Sequence, residues 1–251
     1  MEFGAHFVST VYPQPGRAVQ FCQVAERVGF SFAVAVEHVV WPTDYNSKYP
    51  YNQTGRLPGD PTTLLPDPLV WMTHVAACTK TLRFMTGVLI LPQRNPVVLA
   101  KQLATMDFMS GGRMELGIGV GWLREEFEAI GVPFERRGKR ADETIAAMRA
   151  LWAGDDAGYD GELVNFAGIS CNPKPVQQPL PIIIGGHSEA AARRAGRLGN
   201  GFFPATGWDG DYKPLLAIIR EEAKRAGRDP GEIQITPGID PADPLNSALR
   251  L

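Results

Sequence analysis

Cysteine is scarce in this chain of 251 residues. Cys22, Cys78 and Cys171 lie far apart and form no Cys-x-x-Cys pair. Their odd number speaks against a disulfide framework, so they read as reduced thiols of a cytoplasmic protein, two buried in helices and one in a loop. The four histidines do not gather with Cys, Asp or Glu at ligand spacing, so no metal is expected. No apolar run approaches the roughly 20 residues that cross a membrane, and no basic-then-apolar leader follows Met1. Strong charge of either sign is missing too: the formal net charge is −2. That disfavours a general nucleic-acid binder or a basic membrane-surface protein. Lysine is sparse, 7 against 18 arginines. Lys80 and Lys101 both fall on expected helices, so no lysine stands where a Schiff-base barrel would need one.

What the chain does have is a regular alternation of strand and helix patterns, and enough apolar residues, 44% of the total, for one large core. Strands are expected at Glu2 to Val8, Phe32 to Val36, Leu82 to Leu91, Met114 to Val120, Pro181 to Ile184, Gly201 to Pro204 and Glu232 to Thr236. Between them run helices at Arg17 to Val28, Asp67 to Thr79, Pro96 to Met109, Glu125 to Ala153 (broken near Gly131-Val132-Pro133), from Ser188, and Tyr212 to Ala226. Seven strands alternating with helices imply a parallel sheet in a single domain. The polar and Gly-rich features fall just after strands, which a (β/α)8 barrel would gather at one mouth. Two stretches break the alternation. Residues 41–66 form a long aromatic and Pro-rich loop, and residues 155–180 form another, with a hairpin expected at Glu162 to Asn172. Loops of this length suit lids.

The densest chemistry lies in Pro173 to Arg194, PKPVQQPLPIIIGGHSEAAARR. Gly185 and Gly186 allow close backbone approach, and the helix behind them offers N–H groups and a partial positive charge to a phosphate. The alternative is an ordinary strand-to-helix turn capped by Ser188. A second glycine cluster, Leu116-Gly-Ile-Gly-Val-Gly-Trp122, favours the ligand reading. Glu37-His38 follows the second strand. It reads either as a proton-handling pair, Glu37 orienting His38, or as an ion pair at a barrel rim. His6 reads as a pocket-lining or a core residue, and His74, mid-helix, as structural. Trp41 either stacks at the pocket or packs the loop. Tyr45 and Tyr49 either pack a lid or touch substrate.

Taken together these segments resemble the luciferase-like, flavin- or deazaflavin-dependent oxidoreductases, most closely the branch that uses coenzyme F420. The resemblance covers roughly residues 1 to 239. It rests on Glu37-His38, Thr86-Gly-Val-Leu-Ile-Leu-Pro92 with Arg94-Asn95-Pro96, and Ser110-Gly-Gly-Arg113. It also rests on Gly117-Ile-Gly-Val-Gly-Trp122 with Glu125-Glu126-Phe127, and on the PKP…GGHSEAA segment. It implies a (β/α)8 barrel with the cofactor at its C-terminal mouth. It places Glu37 and His38 beside the ring, with His6 and Trp41 the further candidates for contact with the cofactor. Gly87 and Val88 would form a bulge against the ring, joined by a non-proline cis peptide. Gly119, Val120, Gly121 and Trp122 would lie along the cofactor side chain, and Gly185, Gly186 and His187 at its phosphate. Some deazaflavin dehydrogenases of the family carry a catalytic Glu where Trp122 stands here. That departure argues against sugar-phosphate dehydrogenation and implies an apolar pocket wall. The expected activity is hydride transfer between F420 and a small organic substrate. The alternatives are an FMN-dependent monooxygenase and a non-catalytic flavin-binding protein.

After the seventh expected strand only PGIDPADPLNSALRL remains, too short for a helix, a strand and a second helix. The barrel is therefore expected to lack its last β/α unit, with the gap covered by this tail or buried in a homodimer.

Overall fold

The computed structural model of the chain describes residues 2–205, 211–239 and 242–243. These fall into two compact units, Met1–Leu180 and Pro181–Leu251.

In the first unit, strands β1 (Gly4–Ala5), β2 (Phe32–Ala35) and β3 (Arg83–Thr86) run parallel in that order. The next short strand, β4 (Leu89–Ile90), continues β3, and both pair in parallel with β5 (Met114–Gly119). All four residues of β2 are buried, as expected of a parallel strand covered on both faces. The strand expected at Glu2 to Val8 shrinks to two residues. Phe7 takes a left-handed conformation (φ 60°), and its carbonyl accepts the N–H groups of Thr10 and Val11 at 3.1 and 3.0 Å. The chain thus turns into the one-turn helix α1 (Val8–Val11).

Helix α2 (Pro15–Arg27) starts on a proline and buries Ala18, Cys22 and Ala25 at helical spacing. Val24 and Val28, expected on the same face, are exposed. Burial, with Glu26 nearby, pushes the Cys22 thiol up to about 12. Helix α3 (Pro68–Ala76) is capped by Asp67 Oδ1, which accepts from Leu69 N and Val70 N at 2.9 and 3.1 Å. It stops short of Cys78, so that thiol is exposed rather than buried in a helix. Helix α4 (Pro96–Ser110) is capped by Asn95 in the same way and ends at Gly111 (φ +72°).

The single strand expected at Leu82 to Leu91 is interrupted at Gly87-Val88, whose peptide bond is cis, as anticipated. Beside the interruption, β5 presents a face without side chains. A Cβ on Gly117 would lie 1.8 Å from Thr86 O, and one on Gly119 would lie 2.7 Å from Val88 Cγ2. One on Gly121 would lie 2.8 Å from Ile90 Cγ2. Alternate positions of a strand share a face, so these glycines let β3 and β4 lie flush on β5.

The expected helical stretch from Glu125 divides into α5 (Arg124–Ala129) and α6 (Arg137–Ala153). Gly131 (φ +71°), Pro133 and Arg136 (φ 59°) hold the break open. Strands β6 (Ala157–Asp160) and β7 (Asn165–Ile169) form an antiparallel hairpin, starting earlier than the sequence suggested.

In the second unit β8 (Ile182–Gly186) leads to helix α7 (Glu189–Leu198), then β9 (Gly201–Pro204), helix α8 (Lys213–Arg225) and β10 (Gln234–Ile235). The three strands are parallel, with β9 between the others. Helix α7 packs closely on α8 at Gly196, where a Cβ would sit 2.6 Å from Ile219 O. Arg228 secures the end of α7, donating to the carbonyls of Gly196 and Gly199 at 2.8 and 2.6 Å. The tail beyond residue 239, on which the expectation of a covered gap rests, lies outside the described residues except for positions 242–243.

Candidate active site

The chemistry of the first unit collects where its strands end. Residues Glu37 and His38 follow β2, and their side chains take different partners. Glu37 is buried. Its Oε2 accepts Ile90 N–H at 2.6 Å, and its Oε1 is paired with the guanidinium of Arg94. Arg94 also reaches Asp67 Oδ2 at 2.8 Å. Burial pushes the Glu37 pKa upward, against the pull of the Arg94 charge. Glu37 therefore does not orient His38, as the sequence had suggested; its two oxygens are taken by Ile90 and Arg94.

The carboxylate that does orient His38 is Glu126, in the first turn of α5. Its side chain is fully buried. Oε2 receives His38 Nδ1 at 3.2 Å, and Oε1 receives Val39 N at 2.5 Å and Val40 N at 3.4 Å. With the carboxylate as acceptor, Nδ1 of His38 carries the proton and Nε2 is the nitrogen left to exchange one with a ligand. The neighbouring Glu125 grips the other side of the same loop, accepting Asn46 N at 2.7 Å and Ser47 N at 3.2 Å. Two consecutive carboxylates thus fasten the turn after β2 and the start of the long loop. Glu126 belonged to a motif noted in the sequence but was given no role; an acid beside the fully buried Phe127 was the available signal.

Aromatic rings close over His38. Its imidazole meets the Trp122 ring edge-on, centroids 5.9 Å apart, and Trp122 in turn meets Tyr45 at 5.9 Å and Tyr49 at 5.2 Å. Tyr45 is buried, its hydroxyl accepts Leu57 N–H at 2.9 Å, and Arg56 lies over its ring. It backs Trp122 as part of the loop's own packing. Tyr49 is half-buried, and desolvation raises its phenol pKa. Trp41 is half-buried and packs within the loop, where a Cβ on Gly59 would come 3.2 Å from its ring.

His6 retains solvent contact and has Nε2 3.0 Å from the Gly87 carbonyl oxygen. Desolvation nonetheless lowers its pKa, the Gly87 bond opposing, which favours neutral imidazole. Val88, Gly119, Val120, Gly121 and Trp122 are all partly accessible, a largely apolar run at the ends of β3 and β5. Glu37 and His38 also line a cavity of about 300 Å³, together with Val39, Leu65 and Ile130 and with Asp67, Gln93 and Arg94.

In the second unit the glycine pair lies inside β8, which runs two residues further than expected. Gly186 adopts φ +131°, and a Cβ there would sit 3.1 Å from Ala191 Cβ, so a side chain would be strained and crowded. Ser188 Oγ accepts Ala191 N–H at 3.2 Å, and His187 is exposed beside it. Among the described residues there is no cluster of His, Cys, Asp and Glu able to hold a metal, and no helix is long and apolar enough to cross a membrane.

Parallel strands with helices between them, polar groups concentrated after the strands, and a carboxylate-held histidine beside aromatic rings define an α/β protein with its chemistry gathered at one end of its strands. The chain belongs to the luciferase-like monooxygenase family, whose model matches residues 1–242. It is 35% identical to an F420-dependent glucose-6-phosphate dehydrogenase of Gordonia bronchialis, over 65% of this chain and 50% of that protein. It is 31% identical to an FMNH(2)-dependent dimethylsulfone monooxygenase of Pseudomonas putida, over 83% of this chain and 53% of that one. The solved coenzyme F420 dependent tetrahydromethanopterin reductase of Methanopyrus kandleri superposes with a TM-score of 0.74 at 22% identity, over 95% of this chain and 65% of the reductase. The fold is therefore the luciferase-like (β/α)8 type. Counting β3 and β4 as one interrupted strand, the described residues supply seven of its eight strand positions. The family includes both F420-dependent and FMN-dependent oxidoreductases.

Proposed function

We propose that this chain is an oxidoreductase that moves a hydride between coenzyme F420 and a small organic substrate, with His38 as the proton-handling group. The observation that carries this reading is the pairing of His38 Nδ1 with the fully buried Glu126, which fixes one tautomer and dedicates Nε2 to exchange. When bound, the deazaflavin supplies the hydride chemistry; the chain binds, orients and shields.

The residues present fit a flat heteroaromatic ring. Val88, Gly119 and Val120 offer an apolar, partly open surface, His6 is held at its edge by Gly87 O, and Trp122 walls the His38 side. Trp122 and Tyr49 exclude water and favour an apolar substrate over a sugar phosphate. Glu37 is a positioning residue: through Arg94 and Ile90 it fixes the backbone from which His38 projects. In the second unit, the Gly185-Gly186 end of β8 ahead of α7 has the features of a phosphate-binding helix start, with His187 beside it.

A second reading, an FMN-dependent monooxygenase, is favoured by the wider coverage of the monooxygenase relative, 83% of this chain against 65%. Titrating the purified chain with F420 and with FMN, followed by fluorescence, separates the two. F420 is expected to bind at least about tenfold tighter, a difference of about 1.4 kcal/mol. Preference for FMN would replace the first reading with the second.

A further inference from the structure

Helix α5 begins without a cap of its own: Leu123, at the N-cap position, offers its first turn no side-chain hydrogen bond. The cap comes instead from the long loop, where Ser47 Oγ accepts the N–H of Arg124 at 3.1 Å, across 77 residues of sequence. Glu125, the next residue of that turn, answers. Its Oε1 accepts Ser47 N–H at 3.2 Å and Asn46 N–H at 2.7 Å. This is the reciprocal exchange of a capping box, hydroxyl to helix N–H and helix carboxylate to serine N–H, with the serine lent by another segment.

The clasp sits in the middle of the aromatic wall. Tyr45 and Tyr49 stand on either side of Ser47, and both meet Trp122, just ahead of Arg124. Behind the clasp the loop is tied to itself. Tyr49 N–H donates to Gly55 O at 2.8 Å, Leu57 N–H to the Tyr45 hydroxyl and Arg56 Nη1 to Tyr45 O, both at 2.9 Å. A loop that holds its own shape still needs a seat on the strands, and Ser47 and Glu125 join it to the segment that carries Trp122. Glu126 has a separate task, holding His38 Nδ1, Val39 N and Val40 N. Two adjacent carboxylates therefore serve two parts of the site.

We propose that Ser47 and Glu125 are positioning residues for substrate selection: they seat Tyr49 against Trp122 and so fix the aromatic wall beside His38, independently of the Glu126–His38 pair. Loosening the clasp then raises KM for an apolar substrate and leaves kcat near the parent value. That kinetic consequence rests on the oxidoreductase reading, whereas the seating itself does not.

The test uses the full chain without cofactor, carrying fluorotryptophan and isotopically labelled histidine, followed by NMR. The Trp122 and His38 signals are identified by their loss in Trp122→Phe and His38→Ala. In Glu125→Ala the Trp122 fluorine resonance is expected to move and to gain the solvent isotope shift of an exposed indole. The Asn46 and Ser47 amides should exchange at least about tenfold faster, as for the loss of a hydrogen bond to a charged group. The His38 ring is expected to keep its Nδ1–H signature. Glu125→Gln, which retains an acceptor oxygen, should restore the parent Trp122 signal. Ser47→Ala is expected to move Trp122 as Glu125→Ala does, and it carries the test should Glu125→Ala fail to fold. Asn95→Ala removes the ordinary cap of α4 and should leave Trp122 in place.

A Trp122 signal unmoved in Glu125→Ala and Ser47→Ala would overturn the proposal. So would an equal movement in Asn95→Ala, which would reduce the clasp to general stability, or in Glu125→Gln. Loss of the His38 signature in Glu125→Ala would overturn the separation of the two carboxylates. Failure of both F420 and FMN to bind would remove the oxidoreductase reading with its kinetic consequence, and leave the NMR result standing.

Discussion

The two ends of the parallel strands in the first unit are built on opposite plans. At the N-terminal end of β3, Glu26 accepts the N–H groups of Lys80, Thr81 and Leu82 at 2.8, 2.5 and 2.9 Å, and the Thr81 hydroxyl at 3.0 Å. Nearby, Arg113 donates to the carbonyls of Ala76, Leu82 and Ser110 and to Thr79 Oγ1. Asp107 takes both the backbone N–H and the side-chain amide of Gln177. These groups are held by backbone and side-chain partners, although Glu115 Oε2 at the same end is buried without a hydrogen-bond partner among the described residues. At the C-terminal end, His38 meets Glu126 through Nδ1, and its Nε2 makes no hydrogen bond among the described residues. The first end spends the named groups in holding segments together; at the second, one ring nitrogen of His38 stays outside the hydrogen bonds of the described residues. Position along the strand, more than residue type, separates a structural ion or amide from a functional one.

If this division holds, substitutions at the two ends should separate activity from stability. The largest effect is expected for His38→Ala: turnover with a cognate substrate falls about 10²–10⁴-fold, while the melting temperature and cofactor affinity stay close to those of the parent. Full activity in that variant, measured by steady-state kinetics, would erase the functional label from this end. Next comes Arg113→Met at the opposite end. It removes four donated hydrogen bonds and should destabilise the chain by about 2–4 kcal/mol in denaturant titration, without changing cofactor affinity. Loss of cofactor binding in a folded Arg113→Met chain would blur the two ends.

The smallest effect is a pH dependence. Burial acts to raise the Glu26 pKa, but its backbone partners outweigh it and bring the value down to about 2 from an ordinary 4.5. A depressed carboxylate contributes its stability above pH 4.5 and loses it as pH falls toward about 2. Solvent screening reduces the contribution to about 1 kcal/mol. Denaturation followed across that window should show this loss in the parent and a flatter response in Glu26→Gln.

Much of this organisation was legible in the chain itself. The Asx-Pro starts of α3 and α4, the stop at Gly111, the Gly87-Val88 interruption and the Glu37-His38 step after β2 are all local patterns, readable within a few residues. The partner of His38 was not, because Glu126 lies 88 residues away and no local rule says which of several acids will meet a given imidazole. Adjacency made Glu37 the obvious choice, but its two oxygens are taken by Ile90 N–H and the Arg94 guanidinium. The first strand and the hairpin were misjudged where short-range geometry prevailed over pattern, at the left-handed Phe7 and in the apolar-poor Ala-Gly-Tyr-Asp.

The bare face of β5 has a consequence for how such a chain can change over generations. Because the Thr86 carbonyl lies where a Cβ of Gly117 would be, and the Val88 and Ile90 side chains lie close against Gly119 and Gly121, β3 and β4 approach this glycine run more closely than any side chain there would allow. A side chain gained at Gly117 would force neighbouring strands apart. Novelty is left to residues 41–66, which can be lengthened, shortened or rewritten while the ruler beneath them stays the same.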